Sequence, residues 1–275
     1  MGYKLKRIMA VARLVTLDGL RRHALLGLVV LAAAGQLAAL LFFDFIPRDI
    51  GRASADFVLS MAWLTGFIFL FFHAVQVMAL DEEKKVVYSL LARPISRGEY
   101  VLGVFAGLAL LLLLLNLLLG GLGFGALLMI KQMVQPVYFA HLGIPAYLLA
   151  WLGLFVMQLL LLAMILLFSG LVRGSFPVLL ISLAYYAICS GLPVVRQAVT
   201  QQLAQGDGAA GLARLLQGLT ALFPNFNQLD FKDLITTGES LPGFTLLAVN
   251  FGVAFTYMAL ALGLACLVYQ RRDLQ

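Results

Sequence analysis

Six long apolar runs constrain this chain more than any other feature. They fall at 24–46, 56–79, 99–130, 144–171, 176–192 and 244–269. About 20 such residues are enough for a helix to cross the hydrocarbon of a bilayer. Hydrophobic residues make up 63% of the 275 positions and charged residues 12%, against roughly 45–50% and about 25% in a soluble domain. A single water-soluble core cannot absorb that excess. The runs therefore read as membrane spans, and the fold class as an all-α polytopic membrane protein with six transmembrane helices. Disordered chains and disulfide scaffolds are excluded by the same balance. Cys189 and Cys266 both lie inside apolar runs and read as small buried hydrophobes.

The runs differ in length. The third, 99–130, is longer than a straight crossing needs and should tilt or project, whereas 176–192 is at the short limit. Arg21-Arg22, an apolar stretch and Ala32-Ala33-Ala34 imitate a signal peptide. The imitation fails because the run continues to Phe43, long enough to span. Orientation follows from Lys and Arg near the span ends. Thirteen of the 19 lie on the side of the two termini and six on the other. Both termini are therefore expected in the cytoplasm, with the chain integral to the inner (cytoplasmic) membrane of a bacterium. The net charge of +6 is sorted by membrane side, which argues against a nucleic-acid partner.

Three segments outside the runs carry further information. Residues 1–23 form the first. At 100° per residue Leu5, Ile8, Met9, Ala12, Val15 and Leu20 share one side, while Lys6, Arg7, Arg13 and Arg21 share the other; Leu14 and Leu17 break the pattern. A basic amphipathic helix leading straight into a span, with Arg22 at the junction, reads as an elbow on the anionic inner leaflet. The rest of the chain, 24–275, is one six-span domain. The third segment, 193–243, lies between spans five and six, and Leu212, Leu215, Leu216, Leu219 and Leu222 repeat there at helical spacing up to Pro224. They predict an extracytoplasmic amphipathic helix, either capping the bundle or dipping into the outer leaflet.

The second segment, 81–97, is a charged loop between spans two and three. Asp81, Glu82 and Glu83 stand where a helix dipole favours negative charge, and Pro94 restricts Arg93 and ends the helix. Val86, Val87, Leu90 and Leu91 fall on one side of it. Such a compact apolar face needs a covering partner, protein or bilayer. Glu83 shares its angle, so its carboxylate is expected to meet a basic group such as an elbow arginine.

The residues from Glu82 to Gly103 resemble the signature of the type 2 ATP-binding-cassette permease family. The pattern is an acidic residue, a short helix, Leu90-Leu91, then Pro94-Ile95-Ser96-Arg97 and a glycine opening the third span. Within the family the loop is most similar to the permeases of copper-enzyme maturation. Val86 stands where the family often has Thr, and Val104 where a Lys commonly follows the glycine. The layout, with Phe223-Pro224-Asn225-Phe226 in the outer segment and Tyr269-Gln270-Arg271-Arg272-Asp273-Leu274 at the tail, extends the resemblance along nearly the whole chain. It implies a permease subunit, most often an exporter, that forms a homodimer and binds two ATPase subunits on the cytoplasmic side. The 81–97 helix is then the coupling helix. Glu82, Glu83, Val87, Leu90, Leu91, Pro94 and Arg97 are its expected ATPase contacts, Leu90 and Leu91 seating in a groove and the charges setting register. ATP and Mg belong to the partner, because this chain has no Gly-Lys dipeptide and so no phosphate-cradling P-loop. An extracytoplasmic accessory protein is a further candidate partner.

Polar residues inside the runs are few. Gln76, Asn116 and Gln158 are candidates for the transport path, with Ser182 and Asn250 beside them; each also suits an interhelical hydrogen bond. No carboxylate stands mid-span, where an ion-coupled carrier usually has one. Gly121 and Gly125 form a small-xxx-small pair for close helix contact or dimerisation. His23, His73 and His141 show no ligand spacing, and no His-Glu-x-x-His or Gly-x-Ser-x-Gly occurs. The competing readings are an ion-coupled secondary transporter or channel, and a membrane scaffold that transports nothing. An imposed ion gradient driving transport without ATP would mark the first, and absence of substrate-dependent turnover the second.

Overall fold

Among the described residues, the chain is helical where its apolar runs predict spans. The computed structural model describes residues 2–21, 23–38, 50–78, 95–134, 136–139, 142–204, 218, 223–236 and 241–271. In chain order the helices are α1 (Gly2–Arg21), α2 (His23–Ala38), α3 (Ile50–Met78), α4 (Arg97–Met133), α5 (Ile144–Leu171), α6 (Ser175–Ala204), a single turn α7 (Asp233–Thr236) and α8 (Phe244–Arg271). Short 3₁₀ turns lie at Pro136–Phe139 and Phe226–Leu229. No strand occurs among the described residues.

Five of these helices are long and apolar enough to cross a membrane: Ile50–Met78, Arg97–Met133, Ile144–Leu171, Ser175–Val195 and Phe244–Arg271. The first expected span is described only as α2, whose apolar part is Leu26–Ala38; the rest of 24–46 lies outside the described residues. So do Glu82, Glu83, Val87, Leu90, Leu91 and Pro94 of the 81–97 loop, Arg22, and the Leu212–Leu222 repeat. The 37 residues of α4 reach about 55 Å at 1.5 Å each, well beyond a ~30 Å hydrocarbon layer, as the length of its apolar run suggests. The candidate span over 176–192 is Ser175–Val195, the shortest of the five; α6 itself continues through Pro193 to Ala204, so part of the segment assigned outside the membrane extends the same helix.

α3 contains a π-helical stretch, Phe69–Ala74. Such inserts rotate the residues beyond them relative to a regular helix. α5 and α6 are joined by only Val172, Arg173 and Gly174, and this turn needs the positive φ of Gly174 (93°), a region where a Cβ is strained. The core sits between α3, α4 and α5, with Leu59, Phe69, Leu70, Leu108, Leu112, Leu162 and Ile165 fully buried. α6 and α8 wrap around it with most of their surface outward.

α1 lies along the half of α4 nearest the termini. Gly103 and Gly107 make that possible: a Cβ at Gly103 would stand 2.6 Å from Val11 Cβ, and one at Gly107 would stand 2.8 Å from both the Ala12 carbonyl and Val15 Cβ. Thr16 Oγ1 donates to the Gly107 carbonyl at 3.3 Å. The buried face of α1 is therefore Val11, Val15, Thr16 and Gly19. This face shares Val15 with the apolar side read from the sequence, while Leu5, Met9 and Leu20 of that side are exposed. Gly121 and Gly125, the expected close-contact pair, face open space within 4 Å.

Candidate functional site

At the end of the bundle away from the termini, the chain between α6 and α8 returns and lodges among the helices. Phe226, Leu229, Phe231, Leu234 and Ile235 are buried there. The polar backbone of so short a segment needs local partners. Asn225 Oδ1 accepts from Asn227 N at 3.0 Å, and Asp230 Oδ1 accepts from Lys232 N at 3.2 Å; both are side-chain turns of the kind Asn and Asp form readily. Asn250 on α8 donates to the Gln228 carbonyl at 3.1 Å. On α5, Gly153 allows the backbone to pass, since a Cβ there would be 2.2 Å from the Leu229 carbonyl oxygen.

The lodged segment leaves a cavity of about 470 Å³ between itself, α3, α5 and α6. Trp63 and Leu64 of α3, Leu154 and Met157 of α5, and Tyr186 of α6 form its apolar wall. Its aromatic side is held in place by contacts: Trp63 stacks on Phe67 at 5.0 Å, Phe67 meets Tyr186 edge-on at 5.1 Å, and Tyr186 stacks on Phe226 at 5.8 Å. Ser60, Ser190, Asn227, Asp230 and Lys232 supply the polar part. Lys232 Nζ donates to Ser60 Oγ at 3.3 Å. Ser60 is ten residues into α3 from Ile50, about 15 Å along the axis.

Midway along the bundle the structure brings together two of the three path candidates. Asn116 Nδ2 donates to Gln158 Oε1 at 2.7 Å and to the Leu112 carbonyl at 2.9 Å. Gly66 on α3 admits the Gln158 amide, which lies 2.0 Å from where a Cβ would be. Asn116 Oδ1 and Gln158 Nε2 stay buried without a partner among the described residues. Gln76 does not join them and is exposed. Asn116 also borders a second cavity of about 420 Å³ between α4 and α5, walled by Leu117, Tyr147, Leu148 and Trp151. A further buried amide that the sequence reading missed, Gln36 on α2, has neither polar atom partnered among the described residues and lies against Gly123 of α4. Ser182 is fully buried on α6.

At the termini end the 81–97 loop rejoins the bundle through a tightly held start of α4. Ser96 Oγ accepts from Glu99 N at 3.2 Å, and Glu99 Oε2 accepts from Ser96 N at 2.9 Å, a reciprocal capping box. Arg7 of α1 pairs with the same carboxylate at 3.7 Å. Glu83, expected to meet a basic group such as an arginine of this helix, lies outside the described residues. Arg97 donates to the carbonyls of Tyr269 and Gln270 at 3.3 and 3.2 Å, at the C-terminus of α8, where the helix dipole favours a cation. Tyr269 is in turn fixed by Ser169 at 3.1 Å. Arg13 and Arg21 are exposed.

The capping box was readable as Ser96-x-x-Glu99, and the α1 seat as Gly103-x-x-x-Gly107. Lys232 and its aromatic neighbours are far apart in sequence, and only a cation between Phe231 and Leu234 hinted at them. Among the described residues no three His, Cys, Asp or Glu side chains gather as metal ligands would. No protein-family model and no curated protein matches the chain.

Proposed function

We propose that this chain is the permease subunit of an ATP-binding-cassette exporter in the bacterial inner membrane, with six spans, both termini cytoplasmic, and α1 as its elbow helix. Two copies would form the transport path and bind two ATPase subunits through the 81–97 coupling helix. The supporting observation is the way that loop rejoins the bundle. Its last residues are tied to α1 by the Glu99–Arg7 pair and to α8 by Arg97, and α1 is seated against α4 on glycine. A push on the loop is thereby shared among three helices rather than lost in one flexible joint. The chain carries no Gly-Lys dipeptide, so on this reading the force comes from a separate polypeptide. The cavity at the opposite end is the outer station of the cargo, and Asn116 and Gln158 lie between the two.

The reading is tested in membranes that retain the native partners. A cysteine at Leu90 should crosslink to a P-loop ATPase, and the double variant Glu83→Lys with Leu90→Asp should abolish both the crosslink and substrate-stimulated ATP hydrolysis. Crosslinks to lipid alone, or turnover that survives the double variant, would overturn it.

A further inference from the structure

Lys232 stands beside the apolar wall of the far-end cavity, with no ion pair to a carboxylate among the described residues. Its ammonium has the neutral Ser60 Oγ at 3.3 Å, and no carboxylate of a described residue lies within the 4.0 Å of an ion pair. Asp230, two positions back, lines the same cavity, is exposed, and accepts instead from the Lys232 backbone N–H. Lys232 itself is only partly exposed. A cation partly withdrawn from water next to apolar surface is stabilised by an anion brought to it. The walls restrict what that anion is attached to. Trp63, Tyr186, Leu154 and Met157 offer an aromatic and aliphatic interior, in a volume of about 470 Å³, inside the roughly 300–1,000 Å³ of small-molecule sites. Leu64 lines the same cavity and is 43% exposed, so one wall reaches the outer surface of the bundle and a chain can arrive from the side.

We infer that this cavity binds an anionic amphiphile. Its carboxylate or phosphate head sits on Lys232 and Ser60, and its hydrocarbon chain lies between Trp63, Leu64 and Met157. The inference deepens the permease reading and rests on it for the ligand's role as cargo; the binding itself needs only the cavity.

The chain has two tryptophans, so the variant Trp151→Phe leaves Trp63 as the single reporter in the cavity. In nanodiscs of phosphatidylcholine, 11-bromoundecanoate should quench Trp63 saturably, and dodecyl phosphate should reverse the quenching. Bromoundecyl-trimethylammonium should give only the linear quenching of partition into the bilayer. Lys232→Gln should weaken binding about tenfold, as expected for losing a charged hydrogen-bond partner, whereas Lys232→Arg should retain most of it. Equal saturable quenching by the cationic probe, an unchanged curve in Lys232→Gln, or a Lys232→Arg variant as weak as Lys232→Gln would overturn the assignment. Inorganic phosphate displacing the probe as well as dodecyl phosphate does would show a free-anion site and overturn the amphiphile. No ATPase is present in these measurements, so their failure leaves capture of an ATPase intact, and failed capture leaves them intact.

Discussion

The two ends of this bundle are built on opposite plans. At the termini end, α1 lies on α4 so closely that side chains at Gly103 and Gly107 would collide with it, and each polar group described at the start of α4 has a partner. At the far end, a short segment wedged among α3, α5 and α6 leaves a cavity where the Lys232 ammonium is bonded to the Ser60 hydroxyl and has no ion pair among the described residues. The contrast recurs between helices: 67% of the apolar window of α5 is buried, against 17% in α8. On the proposed permease reading, the closed end would receive force and the open end would handle a ligand.

The sharpest way to break this comparison is to overfill the closed end. Gly107→Leu should destabilise the protein by about 1–3 kcal/mol or more, read as a lower thermal midpoint in nanodiscs, with α1 released and its amides exchanging faster. Gly153→Val is the counterpart at the open end. Its Cβ meets the Leu229 carbonyl, and a comparable steric cost of about 1–3 kcal/mol should stay local: hydrogen exchange should rise over 226–236 and not over α1. If both variants loosen both ends, the ends are not independent.

Smaller effects sharpen the picture. Ser96→Ala removes the capping box and should cost about 1 kcal/mol, measured by the same unfolding midpoint. Asn116→Leu removes one interhelical bond and should cost about 0.6 kcal/mol, the usual value for such bonds in membranes. Gly121→Leu points into open space and should stay within about 0.5 kcal/mol of the parent. A large loss there would reveal a helix packed on that face in the native assembly.

Much of the architecture is legible in the chain because a span is a local property: twenty apolar residues and their flanks suffice to propose it. The long α4, the helix at 2–21 and the break between α5 and α6 follow from such local signals. The face of α1 was not legible in the same way. The part of its surface that α4 covers was set by Gly103 and Gly107, more than eighty residues away, which let backbones approach and gain dispersion contacts. Pro193 likewise suggests a helix end, yet α6 continues through it because a proline in a membrane helix can be tolerated when neighbouring groups satisfy the freed carbonyl. The pairing of Asn116 with Gln158 depends on the rotation of α4 and α5, and the direction of Gln76 on that of α3, whose π-helical stretch precedes it.

The sequence by itself determined that this protein is helical and membrane-embedded, since hydrocarbon leaves the backbone no other partner than itself. It also marked the residues that start α4, because a capping box acts within four positions of one chain. Only the tertiary structure decided where Lys232, Ser60, Trp63 and Tyr186 meet. Those residues come from three segments with no sequence period in common, and what joins them is the close passage of Leu229 over Gly153, a steric fact that exists only once the helices are packed.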